Sequence, residues 1–199
     1  MSSSGADSSS RLRVELFSDA VFAVAITLLV LELPLKDASG SLVAALADHW
    51  PAFAAFGISF VLIGCVWMSH YRLFRRVEEV DSPLLLLNLL MLFSVVLVPF
   101  GASTMATFLA RPEAQSRPAA AVFAGVLALM SLCLGVLHVR VSRRSAPAAQ
   151  DSRFTELRRS LGLLVNSAGV GVAFINPVAV LAMTGGVALY YLIGDVTGY

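Results

Sequence analysis

Residues 11–35 read RLRVELFSDAVFAVAITLLVLELPL. From Val14 onward the run is apolar and long enough to cross a bilayer, which needs about 20 such residues in a helix. Its first turns nevertheless carry Arg13, Glu15, Ser18 and Asp19. Charged side chains at membrane depth are costly, so they usually mark a functional or assembly site.

The rest of the chain agrees with that environment. Of its 199 residues, 58% are hydrophobic and 14% charged, and the mean hydropathy is +0.82. These values lie outside the range of a soluble domain and indicate an integral membrane protein. The net charge of +1 does not suggest a nucleic-acid partner, and the basic residues form no single stripe of the kind nucleic-acid binding requires. Cys65 and Cys133 each sit inside an apolar run, as small buried hydrophobes do, and imply neither a disulfide framework nor a metal site.

Apolar stretches of spanning length recur near 14–35, 51–71, 83–109, 119–139, 157–175 and 177–196. Only Asn176-Pro177 separates the last two. A tight hairpin is expected there, since one continuous helix would overshoot the bilayer. The expected fold is therefore all-α, with six transmembrane helices in one domain over 11–199. The polar run MSSSGADSSS, residues 1–10, lacks the order of a secretory signal and reads as a disordered tail.

Lys and Arg favour cytoplasmic loops. With the N-terminus inside, 11 of the 14 basic residues fall on inner segments: Arg11, Arg13, Arg72, Arg75, Arg76, Arg140, Arg143, Arg144, Arg153, Arg158 and Arg159. Only Lys36, Arg111 and Arg117 fall outside. This places both termini in the cytoplasm and the chain in the plasma membrane, with 140–159 as the longest inner loop, its arginines against lipid headgroups. Trp50, Tyr71, Tyr190 and Tyr191 sit near span ends, where an interfacial belt is expected, and Gly162, Gly169, Gly171, Gly185 and Gly186 allow close helix approach.

Steps of three and four along the first helix align Arg13, Phe17, Ala20, Val24, Thr27 and Leu31, with Leu28 bordering the stripe. Two readings are open. The stripe is a packing seam within a bundle, or, with several copies around an axis, it lines a narrow pore whose apolar rings can gate by dewetting. At the charged end of this helix, Ser18 and Asp19 lie at the depth of Trp67 and His70 near the end of the second helix, and of Asn88 early in the third. Unpaired polar groups in hydrocarbon cost several kcal/mol, so a hydrogen-bonded cluster of Asp19, Ser18, His70 and Asn88 is expected, with Arg13 at its rim. Such a cluster would hold the helices together and fix the tilt of the first. No ionisable residue continues the path outward, which argues against a proton relay.

Arg13-x-x-x-Phe17-Ser18-Asp19 resembles the RxxxFSD signature on the first helix of the transmembrane protein 175 family of potassium channels, and the following VFAVAITLLVLEL continues the likeness. Trp67-x-x-His70, Asn88-Leu89-Leu90 and Pro99 extend it through about residue 110. Beyond that, only span count and hydropathy match. The resemblance implies a cation channel without a carbonyl filter, in which first helices meet at a central axis. Eukaryotic members carry two six-helix repeats and assemble as dimers, so a single set implies a homotetramer. Carried over by position, the hydrophobic constriction falls on Val24, a threonine layer on Thr27, and wider apolar rings on Leu28 and Leu31. Val24 is smaller than the Ile or Leu frequent there, which bears on how tightly the gate closes.

Potassium sheds water at lower cost than sodium, so a ring of Thr27 hydroxyls beside a narrow neck would give moderate selectivity. Glu32 near the outer mouth would concentrate cations, or serve only as an interfacial carboxylate. Transient potassium is the only metal expected, and no cofactor is implied. Thr197-Gly198-Tyr199 echoes a conventional filter but lies beyond the last span and carries no weight.

Rival functions lack their signatures. A proton-coupled secondary transporter would show broken helices, inverted repeats and paired midplane charges, whereas Asn166 is a lone amide. An enzyme would need a nucleophile and base or metal ligands at one depth, and Asp19 with one histidine is a thin set. An accessory membrane subunit remains open on sequence grounds.

Overall fold

The structure, a computed structural model, describes residues 3–33, 42–144 and 153–197. Lys36, the middle of the long inner loop and the terminal Gly198-Tyr199 lie outside these residues. The described chain forms seven helices and no strand: α1 (Ser3–Leu31), α2 (Leu42–Asp48), α3 (Trp50–Phe74), α4 (Ser82–Phe108), α5 (Glu113–Ser142), α6 (Arg153–Ala173) and α7 (Pro177–Thr197). Five of these are long and apolar enough to cross a membrane: α1 over Ser9–Leu31, α3, α4, α5, and α7 over Pro177–Gly194.

The expected fifth span, 157–175, is shorter than its sequence suggested. The apolar part of α6 is Ser160–Ala173, because Arg153, Glu156, Arg158 and Arg159 occupy its first turns. The expected break between the last two helices is present, and local chemistry explains it. Asn176 Oδ1 accepts from the backbone N–H groups of Val178 (3.0 Å) and Ala179 (3.2 Å). Pro177 occupies the first helical position, where its missing N–H has no helical partner to lose.

At the other end of the chain, α1 begins at Ser3, so helix occupies most of the run expected to be a disordered tail. No proline interrupts residues 3–10, and adding turns to an existing helix costs far less than nucleating one. α1 stops at Leu31, short of residue 35, because a proline at 34 disfavours helical geometry in the residue before it. The short α2 was not expected from sequence, since seven residues cannot span.

α4 and α5 pack side by side at the centre, with α6 on α5, α7 on α6, and α7 returning against α3. α1 stands at the edge and packs on α3 and α4. Lipid tails are as apolar as leucine, so close packing and polar bonds, rather than burial from water, hold these helices together. Pro99 lies buried inside α4, leaving the Val95 carbonyl without its helical donor. Membrane helices tolerate this when neighbours cover the site.

Small residues set the α5–α6 distance. A Cβ at Gly169 would lie 3.3 Å from Ala124 Cβ and 3.9 Å from Val180 Cγ1. Ala124 Cβ is fixed to its backbone and cannot swing aside, so Gly169→Val should destabilise the purified protein by about 1–3 kcal/mol. A lowered thermal transition in detergent would register it, and an unchanged one would mean that α6 is free to move off α5.

Candidate pore helix and its polar support

The two faces of α1 differ sharply. Ser18, Phe22, Ala25 and Leu29, spaced four, three and four apart, are buried against α3 and α4. On the opposite side, Phe17 is 54%, Val24 56%, Leu28 39% and Leu31 72% exposed, and Arg13, Ala20 and Thr27 are exposed as well; Glu32, just past the end of α1, is also exposed. The stripe expected from heptad spacing is thus the unpartnered face of the single chain. Thr27 Oγ1 donates to the Val24 carbonyl at 2.9 Å. With its hydrogen committed to its own helix, the hydroxyl presents oxygen lone pairs outward, the polarity a cation requires.

The buried face is held by a directional chain of hydrogen bonds. Ser18 Oγ donates to the Val14 carbonyl (2.8 Å) and accepts from Asn88 Nδ2 (3.0 Å). That orients the amide so that Asn88 Oδ1 meets His70 Nε2 at 2.9 Å, and the histidine nitrogen must then carry the hydrogen. The imidazole is sandwiched between aromatic rings, stacked on Phe74 at 4.2 Å between centroids and tilted against Phe22 at 5.6 Å. Three helices meet in this one layer, and Ser18, His70 and Asn88 are all buried.

Asp19 does not join that chain directly. Its Oδ1 accepts from Trp67 Nε1 at 2.8 Å, on the exposed side of the α1–α3 contact. Trp67 stacks on Tyr71 in turn. Arg13 is exposed. Adjacent residues Ser18 and Asp19 therefore point α1 in two directions, one into the bundle and one to its open face.

Other contacts were not apparent from sequence. Arg11 donates from Nη1 to the Val77 carbonyl (3.2 Å), tying the base of α1 to the α3–α4 turn, and pairs with Glu15 at 3.5 Å. Asp81 caps α4 by accepting from the Leu84 N–H at 3.0 Å and takes Arg140 (2.5 Å) and Arg144 (2.7 Å) on its other oxygen. Asp followed by Ser-Pro is an N-cap signal, so the cap could have been read locally. The long-range arginines could not. Asn166, unpaired by sequence reasoning, donates to Ser131 Oγ at 3.3 Å.

Desolvation pushes the Asp81 carboxyl upward, but the Leu84 N–H and the Arg140 and Arg144 guanidinium groups outweigh it and hold the group below its ordinary 3.8. A lowered folded-state value means that the clasp stabilises fully above 3.8 and is lost as pH falls through that lower value. Melting profiles against pH should show this acid-side loss in the native chain. It should be absent in Asp81→Asn, which retains the cap but not the charge.

The sequence model of the family described as endosomal/lysosomal potassium channel TMEM175 matches residues 13–99. A potassium channel of Streptomyces collinus is 42% identical over 189 residues, covering 90% of each chain. The crystal structure of a lysosomal potassium-selective channel TMEM175 homolog from Chamaesiphon minutus superposes with a TM-score of 0.80 at 30% identity, over 93% of this chain and 97% of that one. The endosomal/lysosomal proton channel TMEM175 of Homo sapiens is 38% identical over 114 residues, 52% of this chain and 23% of that protein.

Proposed function

This chain belongs to the TMEM175 family, and we propose that it conducts potassium passively through a pore formed where α1 helices of four copies meet at a shared axis. Each copy contributes six membrane-embedded helices, α6 among them despite its short apolar part. Val24 forms the constriction, Thr27 the hydroxyl layer, and Leu28 and Leu31 the wider rings above it. Arg13, Phe17, Ser18, Asp19, Trp67, His70 and Asn88 set the helix tilt, and Glu32 faces the outer mouth. Both termini lie in the cytoplasm and the membrane is the cell's own.

One observation carries this reading beyond family membership. Asp19 lies five residues past Val14, where the apolar run begins, or about 7.5 Å along the helix. It is nevertheless on the exposed side of the chain. A carboxylate at that depth is costly against lipid tails. Water or a neighbouring copy resolves the conflict, and a central conduit supplies both.

The test is flux in liposomes. Purified protein should dissipate a potassium gradient passively, with a reversal potential favouring potassium over sodium and no stoichiometric proton movement. Obligatory proton coupling would indicate a transporter. No flux from a well-folded oligomer would indicate an accessory subunit.

A further inference from the structure

A cavity of about 310 Å³ opens at one end of the helix bundle, between the α3–α4 turn and the last turns of α5. Among the described residues six charged side chains line it: Arg76, Arg140 and Arg144, and with them Glu78, Glu79 and Asp81. Its floor is apolar, made by the buried Val77, Leu84 and Val141. The cavity lies where membrane-crossing helices end, the level of phospholipid headgroups. Its volume is at the small end of ligand sites, which begin at about 300 Å³, and suits one headgroup rather than an acyl chain.

At the Asp81 clasp the opposite charges are not matched one to one. Asp81 engages both of its oxygens, one on the Leu84 N–H and one on Arg140 and Arg144 together. A single carboxylate thus faces two guanidinium groups and leaves positive charge over. Glu78 and Glu79 are exposed, so negative charge stands beside that surplus in the same cavity. Guanidinium groups bind phosphate through paired N–H donors, and carboxylates take an ammonium N–H.

We propose that this cavity binds a phosphoethanolamine group, its phosphate on the arginines and its primary ammonium on Glu78 and Glu79. A purely anionic headgroup would leave the glutamates opposing it. A choline group has no N–H to give them and is recognised by aromatic cages, whereas the described residues that line the cavity include no aromatic ring. The same chemistry is carried by a membrane phospholipid or by a soluble phosphoethanolamine ester. Arg11, which holds the Val77 carbonyl, places the base of α1 against this wall.

The experiment is native mass spectrometry of the full chain in detergent, with ethanolamine, choline and glycerol phospholipids of identical acyl chains, and free phosphoethanolamine as competitor. The ethanolamine lipid should be retained at about tenfold the occupancy of either other lipid. The exposed pair change Glu78→Gln/Glu79→Gln should bring it down to the choline level, and Arg76→Gln should remove retention of all three. Competition by free phosphoethanolamine but not phosphocholine would assign the soluble source, and failure to compete would assign the lipid. Equal or stronger retention of the glycerol lipid, or an ethanolamine preference that survives the glutamate change, would overturn the proposal.

Discussion

Val24→Asn should raise potassium flux through reconstituted protein by about tenfold and bring sodium flux toward it. In the proposed tetramer, four valine side chains form the neck, and an apolar ring at this width resists wetting. Amide groups at the same positions offer hydrogen bonds to water, so the neck stays hydrated and an ion passes with more of its shell intact. Only about 1.4 kcal/mol off the barrier is needed for a tenfold rise. Selectivity falls for the same reason, because discrimination depends on making the ion shed water. Val24 is 56% exposed in the single chain, so the change should leave the fold of each subunit intact. Unchanged flux and selectivity would mean that this position does not face the ion path.

Asn88→Leu should have the largest effect on assembly of any single polar change. Asn88 is the member of the buried layer that joins the other two side chains, donating to Ser18 on α1 and accepting from His70 on α3. Its loss strands a buried imidazole N–H and leaves a buried hydroxyl with only its own carbonyl. Each unsatisfied group costs about 1–3 kcal/mol in proteins generally. Membrane helices soften this, because the separated helices also find partners, and single interhelical bonds average about 0.6 kcal/mol. A net loss of about 1–3 kcal/mol is expected, read as a lowered melting transition and an oligomer that dissociates earlier in detergent. Adding His70→Phe should recover part of it, since the aromatic surroundings of Phe22 and Phe74 accept a phenyl ring with no stranded donor. A double variant less stable than the single one would show that His70 contributes something other than its bond to Asn88.

Much of the architecture is legible in hydropathy because bilayer thickness imposes helix length. The boundaries of α3 and α4 follow from it closely, helped by Pro83 at the start of one and the arginines after the other. Failures arise where local chemistry overrides length. The fourth span was expected from 119, yet α5 begins at Glu113, with Pro118 in its second turn and the Glu113–Arg117 pair supporting the turn before it. At α6 the charged first turns shorten the apolar part. Within the site, Ser18, His70 and Asn88 stand out as polar groups in apolar helices, and counting turns from the span ends puts them at one depth. Which groups pair is not legible, since the turn of Asp19 toward Trp67 depends on the rotation of α1 about its axis. The Asp81 clasp joins residues 59 positions apart, and no local pattern announces such a contact.

The orientation of α1 is tested most directly by cysteine accessibility. With Cys65 and Cys133 replaced, single cysteines at Thr27 and Leu31 on the open face and at Ala25 on the buried face would be treated with a water-soluble thiol reagent during potassium flux. A water-filled axis lined by α1 predicts rapid modification and loss of flux at 27 and 31, with no effect at 25. Full flux with unreactive cysteines at 27 and 31 would place that face against lipid and contradict the pore.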